Sequence, residues 1–200
     1  KSVSCLNIIR NELEVYISRN QEFLYSLVPV EAAKNSPALV LGMASAARLA
    51  GVGPMAAVAG AISEAIAGYI KTLGAKEVIV ENGGDIFIDS CRDITVGVYA
   101  GRSKFTGKLG VKIDPRTMPL AICTSSGTFG HSLSFGKADA VVVLAESGAV
   151  ADAFATQMAN QVIVINDIEK VVEQAKNNPL IKGIVAIKDD KLGVWGELEL

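Results

Sequence analysis

The chain has 200 residues, half of them apolar, 20% charged and 6% aromatic, a composition that excludes intrinsic disorder and lets a domain of this size bury roughly 70% of its unfolded surface. Nineteen basic and 21 acidic residues leave a net charge of −2, which removes the electrostatic case for binding nucleic acid or an anionic membrane. Cys5, Cys91 and Cys123 are scattered and lack metal-ligand spacing, so free thiols in a reducing, cytoplasmic setting are expected.

The first third has helical periodicity. Leu6, Ile9, Leu13, Tyr16 and Ile17 recur at helical spacing, with Arg10, Glu12 and Glu14 between them; Pro29 closes the region. Ser36-Pro37 predicts a second helix, an N-cap followed by proline at the first helical position, ending at Gly51. Pro54 opens a third helix, closed by Gly74. Over residues 55–70 it is apolar or small on nearly every face, which predicts burial and offers a surface for a homo-oligomer. Its single carboxylate, Glu64, belongs at a solvent-facing edge or beside a polar cavity, because an unpaired buried carboxylate is too costly. The longest apolar stretch, 49–62, is too short and too broken by Gly51, Gly53 and Pro54 to span a bilayer. The glycines at 51 and 53 match a dinucleotide fingerprint only superficially: they follow a helix, and Pro54 removes an amide that would hold a pyrophosphate.

Beyond Gly74 the pattern turns to strands. Segments 77–80 and 85–88 flank the tight turn Asn82-Gly83-Gly84. Further strands are predicted over 94–99, 109–113, 120–123 and 140–144. A helix over 149–160, a strand over 162–165, a helix over 168–176 and a hairpin of 184–187 with 192–195 complete the chain. Helices first, then strands, then mixed elements predict an α+β fold with a largely antiparallel sheet. No linker interrupts it, so a single domain over 1–200 is expected. The opening Lys1-Ser2-Val3, without methionine, leads one to expect that an N-terminal segment is lacking.

Four places can carry chemistry. Glu81-Asn82-Gly83-Gly84-Asp85 is an ordinary hairpin turn or, through Asn82 and two carboxylates, a contact for a purine or ribose. Thr124-Ser125-Ser126-Gly127-Thr128 is a polar loop or, through small hydroxyls and exposed amides, an anion site suited to a phosphate. His131, the only histidine, follows that loop and is either structural or a proton-transfer group. Asp152 and Thr156 share one helical face. A carboxylate and a hydroxyl, completed by phosphate oxygens and water, suit Mg²⁺; otherwise Asp152 caps the helix and Thr156 packs.

The order of these motifs carries a resemblance. A Gly83-Gly84-Asp85 turn, a strand ending Ile113-Asp114-Pro115-Arg116, then Thr124-Ser125-Ser126-Gly127, His131, and Ala151-Asp152 with Thr156 together resemble the ApbE family of FAD-dependent, Mg²⁺-requiring flavin transferases. The stretches 52–60, 80–85 and 127–132 resemble an uncharacterised (UPF) branch of it, and the likeness extends over residues 37–165. It implies an ApbE-like, T-fold type of α+β domain. By that resemblance Gly83, Gly84 and Asp85 lie along a flavin nucleotide, FAD, with Thr124, Ser125, Ser126, Gly127 and Thr128 at its phosphates. Asp152 and Thr156 ligate Mg²⁺, and His131 activates the hydroxyl of a protein acceptor.

The chain also departs from the pattern. The family's Lys-Gly pair falls on Ala59-Gly60, a family acidic residue falls on Glu64, and the Asp-Pro-x-Thr-Gly run that follows the family histidine is absent after His131. Two functions remain open: transfer of FMN from FAD to a Ser or Thr hydroxyl, and non-catalytic binding of a flavin or other nucleotide. A third, a scaffold assembled through the Ala-rich helices, needs no ligand.

Overall fold

The structure, a computed structural model, describes residues 2–128, 134–196 and 198–199. Its helical third comprises α1 (Ser2–Arg19), α2 (Gln21–Tyr25), α3 (Ala38–Ala50), a 3-10 turn (Pro54–Ala57) and α4 (Val58–Thr72). The cap of α3 differs from expectation. Pro37, with no side chain able to accept, occupies the N-cap position, and no side-chain cap bond forms. Ser36 stands one residue too early. No single helix among the described residues is long and apolar enough to cross a membrane. The α3 and 54–72 segments meet at 104°, and Val40, Met43, Ala47, Ala57 and Ala67 are fully buried in the core.

Six antiparallel strands follow, β1 (Val78–Asn82), β2 (Asp85–Asp89), β5 (Leu120–Ser125), β6 (Ala140–Ala145), β7 (Gly183–Lys188) and β8 (Lys191–Gly196), in the order β1-β2-β5-β6-β7-β8. Strands β3 (Ile94–Gly97) and β4 (Gly110–Ile113) form a separate antiparallel ribbon, to whose β4 edge Glu199 adds a single bridge at Lys112. Alternation along the strands divides the core. Phe87, Ala121, Cys123, Val141, Val143, Ile184 and Ala186 face the helical layer. Ile88, Leu120, Ile122, Val142, Leu144, Val185 and Ile187 face the β3–β4 ribbon through Val111 and Ile113. The architecture is thus the expected α+β one, with a mostly antiparallel sheet.

Helix α5 (Gly148–Gln161) lies on the centre of the sheet, and α6 (Asp167–Lys176) lies over β7 and β8. The strand expected over 162–165 does not form. The Asp167 carboxylate accepts the amides of Ile163 and Val164 at 3.1 and 2.9 Å, which bends the run into a turn. Both side chains are exposed, so the apolar character of that run served no sheet.

Candidate functional site

Asn82 pairs with Asp85 across the β1–β2 hairpin, so Gly83 and Gly84 alone make the turn. Both have positive φ, 66° and 103°, the requirement of a type I′ turn and one that glycine meets without strain. The turn is pinned to α4: Ser63 Oγ donates to the Asp85 carbonyl at 2.9 Å, and Asn82 Nδ2 donates to the Ala59 carbonyl at 3.3 Å. Asp85 thereby enters β2 on the face that carries Phe87, under the helices. Its Oδ1 accepts the Thr124 amide at 3.0 Å.

The second carboxylate comes from α5. Its helix meets α4 backbone to backbone: a Cβ on Gly60 would stand 2.2 Å from the Gly148 carbonyl oxygen, and one on Gly148 would stand 2.2 Å from that of Gly60. At this crossing the two helices exchange caps. Glu64 Oε2 accepts the Gly148 amide at 2.7 Å and the Ser147 hydroxyl at 2.9 Å. Asp152 Oδ2 accepts the Gly60 amide at 2.9 Å. Each carboxylate satisfies an amide that the first turn of the other helix cannot bond internally, where the helix dipole favours negative charge. Glu64 is half-buried at this crossing, with two donors from the start of α5. Asp152 sits one turn inside α5 and does not cap it; its partner is α4. The signal was present in the sequence, since Gly60 with Glu64 and Gly148 with Asp152 share one glycine-to-acid spacing.

Asp85, Asp152 and Thr156 border one cleft of about 420 Å³. Leu24, Tyr25, Leu27, Val52, Met55 and Phe135 form much of its remaining wall. Both carboxylates are nearly buried, Asp85 at 7% and Asp152 at 9% exposure, and among the described residues neither meets a lysine or arginine. Burial pushes Asp85 up from 3.8 to about 6, against the pull of the Thr124 amide and the Cys123 thiol and with added repulsion from Glu81. Burial, and then the charge of Asp85, raises Asp152 well above the carboxylate range against the Gly60 and Ala59 amides. Cys123, fully buried, lies against both, and its thiol is pushed up by burial and then by the two aspartates. Nothing in the sequence singles out Cys123, because only the strand register brings it beside Asp85.

The donor set fits Mg²⁺. Mg²⁺ commonly takes one or two protein carboxylates and completes its octahedron with water and substrate phosphates. No cluster of three or more His, Cys, Asp or Glu groups able to hold a metal occurs among the described residues, so a cation here would need such borrowed ligands. The expected phosphate loop is placed differently. Thr124 gives its amide to Asp85, Gly127 gives its amide to the Ala138 carbonyl at 2.9 Å, and Thr128 gives its amide to Ser126 Oγ at 3.2 Å. Thr128 Oγ1 also donates to Asp139 Oδ1 at 3.2 Å. Ser125 Oγ is buried without a hydrogen-bond partner among the described residues. Residues 124–128 adjoin Asp85 but do not line the cleft. Gly83 and Gly84 likewise shape the turn without lining it, and Gly84 donates its amide to Glu81 Oε1 at 3.1 Å. His131 lies outside the described residues. Phe135, just beyond, is held at the cleft by Asn160, whose Oδ1 accepts the Phe135 amide at 2.8 Å.

The model of the family described as AbpE bacteria matches residues 3–179. A UPF0280 protein of Methanocaldococcus jannaschii is 44% identical over 198 residues, which cover 94% of this chain and 78% of that protein. Another, from Methanocella arvoryzae, is 40% identical over 197 residues, covering 97% and 80%. Among solved structures, the flavin transferase ApbE from Vibrio cholerae superposes with a TM-score of 0.51 at 19% identity, over 72% of this chain and 50% of its own. The apbe protein of Thermotoga maritima gives 0.57 at 16% identity, over 74% and 52%. At these identities the likeness concerns the fold, and this chain spans about half the length of the two structures. The match over residues 3–179, joined to UPF0280 relatives of such identity, shows that the chain belongs to the ApbE-like family, in its UPF0280 branch.

Proposed function

We infer that this protein binds a flavin dinucleotide, FAD, at the α4–α5 cleft through Mg²⁺ held by Asp152 and Thr156, with Asp85 as the second carboxylate. The observation that carries this reading is the pair of buried aspartates, meeting no lysine or arginine among the described residues, that β2 and α5 bring to the wall of one largely apolar cleft. Such a division, an apolar wall with a few convergent polar groups, suits a ring at one end and a charged group at the other. Tyr25 and Phe135 stand in the wall for a flavin or purine ring. A bound divalent cation supplies positive charge to the pyrophosphate and makes its nucleotide half a better leaving group. The Gly60 and Thr124 amides fix the two carboxylates before any ligand arrives, so little is lost in ordering them.

A second reading, transfer of FMN from FAD to a protein Ser or Thr with release of AMP, is supported by the flavin transferases among the similar folds. In it His131 takes the proton of the acceptor hydroxyl. The missing Lys-Gly pair and the missing run after His131 favour binding without transfer.

FAD titration with Mg²⁺ or with EDTA, on wild type and Asp152→Asn, tests the first reading. The substituted amide keeps an oxygen acceptor for the Gly60 N–H, so the fold is expected to survive. FAD affinity is expected to need Mg²⁺ and to fall at least about tenfold in the variant, as loss of the one anionic ligand in that motif implies. FAD binding indifferent to both Mg²⁺ and the substitution refutes the site. AMP release then separates the two readings. If it occurs, His131→Ala is expected to slow it by roughly 10²–10⁴, and a His131→Asn variant with wild-type turnover rules out the base.

A further inference from the structure

We propose that the loop closing the β3–β4 ribbon is a docking surface for a short acidic segment of a partner protein. The charge of the chain is unevenly spread. Residues 94–113 contain Arg102, Lys104, Lys108 and Lys112 and no carboxylate, although the whole chain carries −2. Lys112 is engaged by Glu199 at 3.0 Å and Asp93 at 3.7 Å. Arg102, Lys104 and Lys108 are exposed and meet no carboxylate among the described residues. Lys104 Nζ instead stands 5.2 Å from the centre of the Phe105 ring.

The loop is a rigid platform. Val98 and Ala100 are buried beneath it. Thr106 Oγ1 accepts the Ala100 amide at 3.2 Å and donates to the Gly101 carbonyl at 2.9 Å. The Ser103, Thr106 and Lys108 amides close successive turns inside the loop at 2.9 to 3.1 Å. With the backbone fixed, only side-chain freedom is lost when an anionic partner arrives, which distinguishes these cations from cations on a mobile tail.

The surroundings limit what fits. Ser103 Oγ donates to the Asp189 carbonyl at 2.9 Å, and Asp139 Oδ2 accepts the Asp189 amide at 2.6 Å. Asp139, Asp189 and Asp190 therefore border the cationic loop on the side that leads to Thr128. A long polyanion crossing the loop would run onto these carboxylates and be repelled, as like charges brought together at an interface are. A short acidic segment ending at that border meets only the cations.

The test is fluorescence anisotropy with a labelled oligoglutamate peptide, its glutamine counterpart and a single-stranded RNA oligonucleotide. The glutamate peptide is expected to bind saturably and to weaken with added salt, while the other two bind at least about tenfold less well. The triple variant Arg102→Gln, Lys104→Gln, Lys108→Gln is expected to lose about tenfold or more, the sum of three modest exposed pairs. Lys76→Gln, an exposed lysine elsewhere, is expected to change nothing. A melting temperature matching wild type certifies that the triple variant folds. Equal binding of the glutamate and glutamine peptides, tighter binding of RNA, or undiminished binding by the triple variant overturns the proposal.

Discussion

Asp85 holds its proton more tightly in the folded protein than in the unfolded chain, since burial lifts its carboxyl from 3.8 to about 6. Between those values the native state binds more protons than the unfolded one, so stability falls as pH rises through the window. The loss is complete above about pH 6 and amounts to roughly 3 kcal/mol for a nearly buried group displaced this far. Asp152 moves in the same direction. Glu77, Asp114 and Asp167, held near 2 by Arg92, Arg116 and Lys170, add stability as pH rises through the ordinary carboxylate range, an opposite slope that is nearly spent by about pH 5. The cation-free protein is therefore expected to melt at a lower temperature near pH 8 than near pH 5. Mg²⁺ is expected to raise the melting temperature more near pH 8, where Asp85 must otherwise ionise unpaired. Melting curves in EDTA and in Mg²⁺ across that range check both signs. These two carboxylates were legible as candidates because each sits in a short motif. Their mutual repulsion was not, because it arises from the fold.

At the scale of elements, the α4–α5 crossing makes a paired prediction. Gly60→Ala places a methyl 2.2 Å from the Gly148 carbonyl oxygen and 2.9 Å from Asp152 Cβ, so the helices must separate at a cost of about 1–3 kcal/mol. Gly68→Ala, on the same helix with nothing within 4 Å, is expected to stabilise by roughly 0.5–1 kcal/mol through helix propensity alone. Urea unfolding of both variants measures the difference, and equal midpoints would show that the crossing is not tight. Periodicity located α3, α4, α5 and the hairpins because each has a regular apolar pattern and a glycine or proline near its ends. The 162–165 run misled because four apolar residues in a row carry no period, and the residue that decides their shape, Asp167, lies outside the run. The exchange of caps between Glu64 and Asp152 left only a shared glycine-to-acid spacing in the sequence, and which amide each carboxylate takes is set by the packing of one helix on the other.

For the molecule as a whole, burial is graded from the sheet outward. All six residues of β6 are buried, whereas α1 buries only Leu13 of its 18 residues. Amides of β6 are expected to exchange with deuterium only on global unfolding, and those of α1 through cheaper local openings; peptide-resolved exchange should rank them so, and equal protection would contradict it. The α+β class followed from the order of helices and strands, but the separation of β3–β4 from the main sheet did not, because alternation reports a buried face and not the identity of the neighbouring strand. The long reach of one contact has a consequence for synthesis. Asp152 takes its amide partner from Gly60, 92 positions earlier, and α5 docks on strands that precede it. During translation the helical third and β1 to β5 leave the ribosome first, and they carry Asp85 without its companion. On the proposed function, the nascent protein stays silent toward a cation–nucleotide ligand until α5 has emerged and docked, and a ligand that binds only then would select finished molecules over partly made ones.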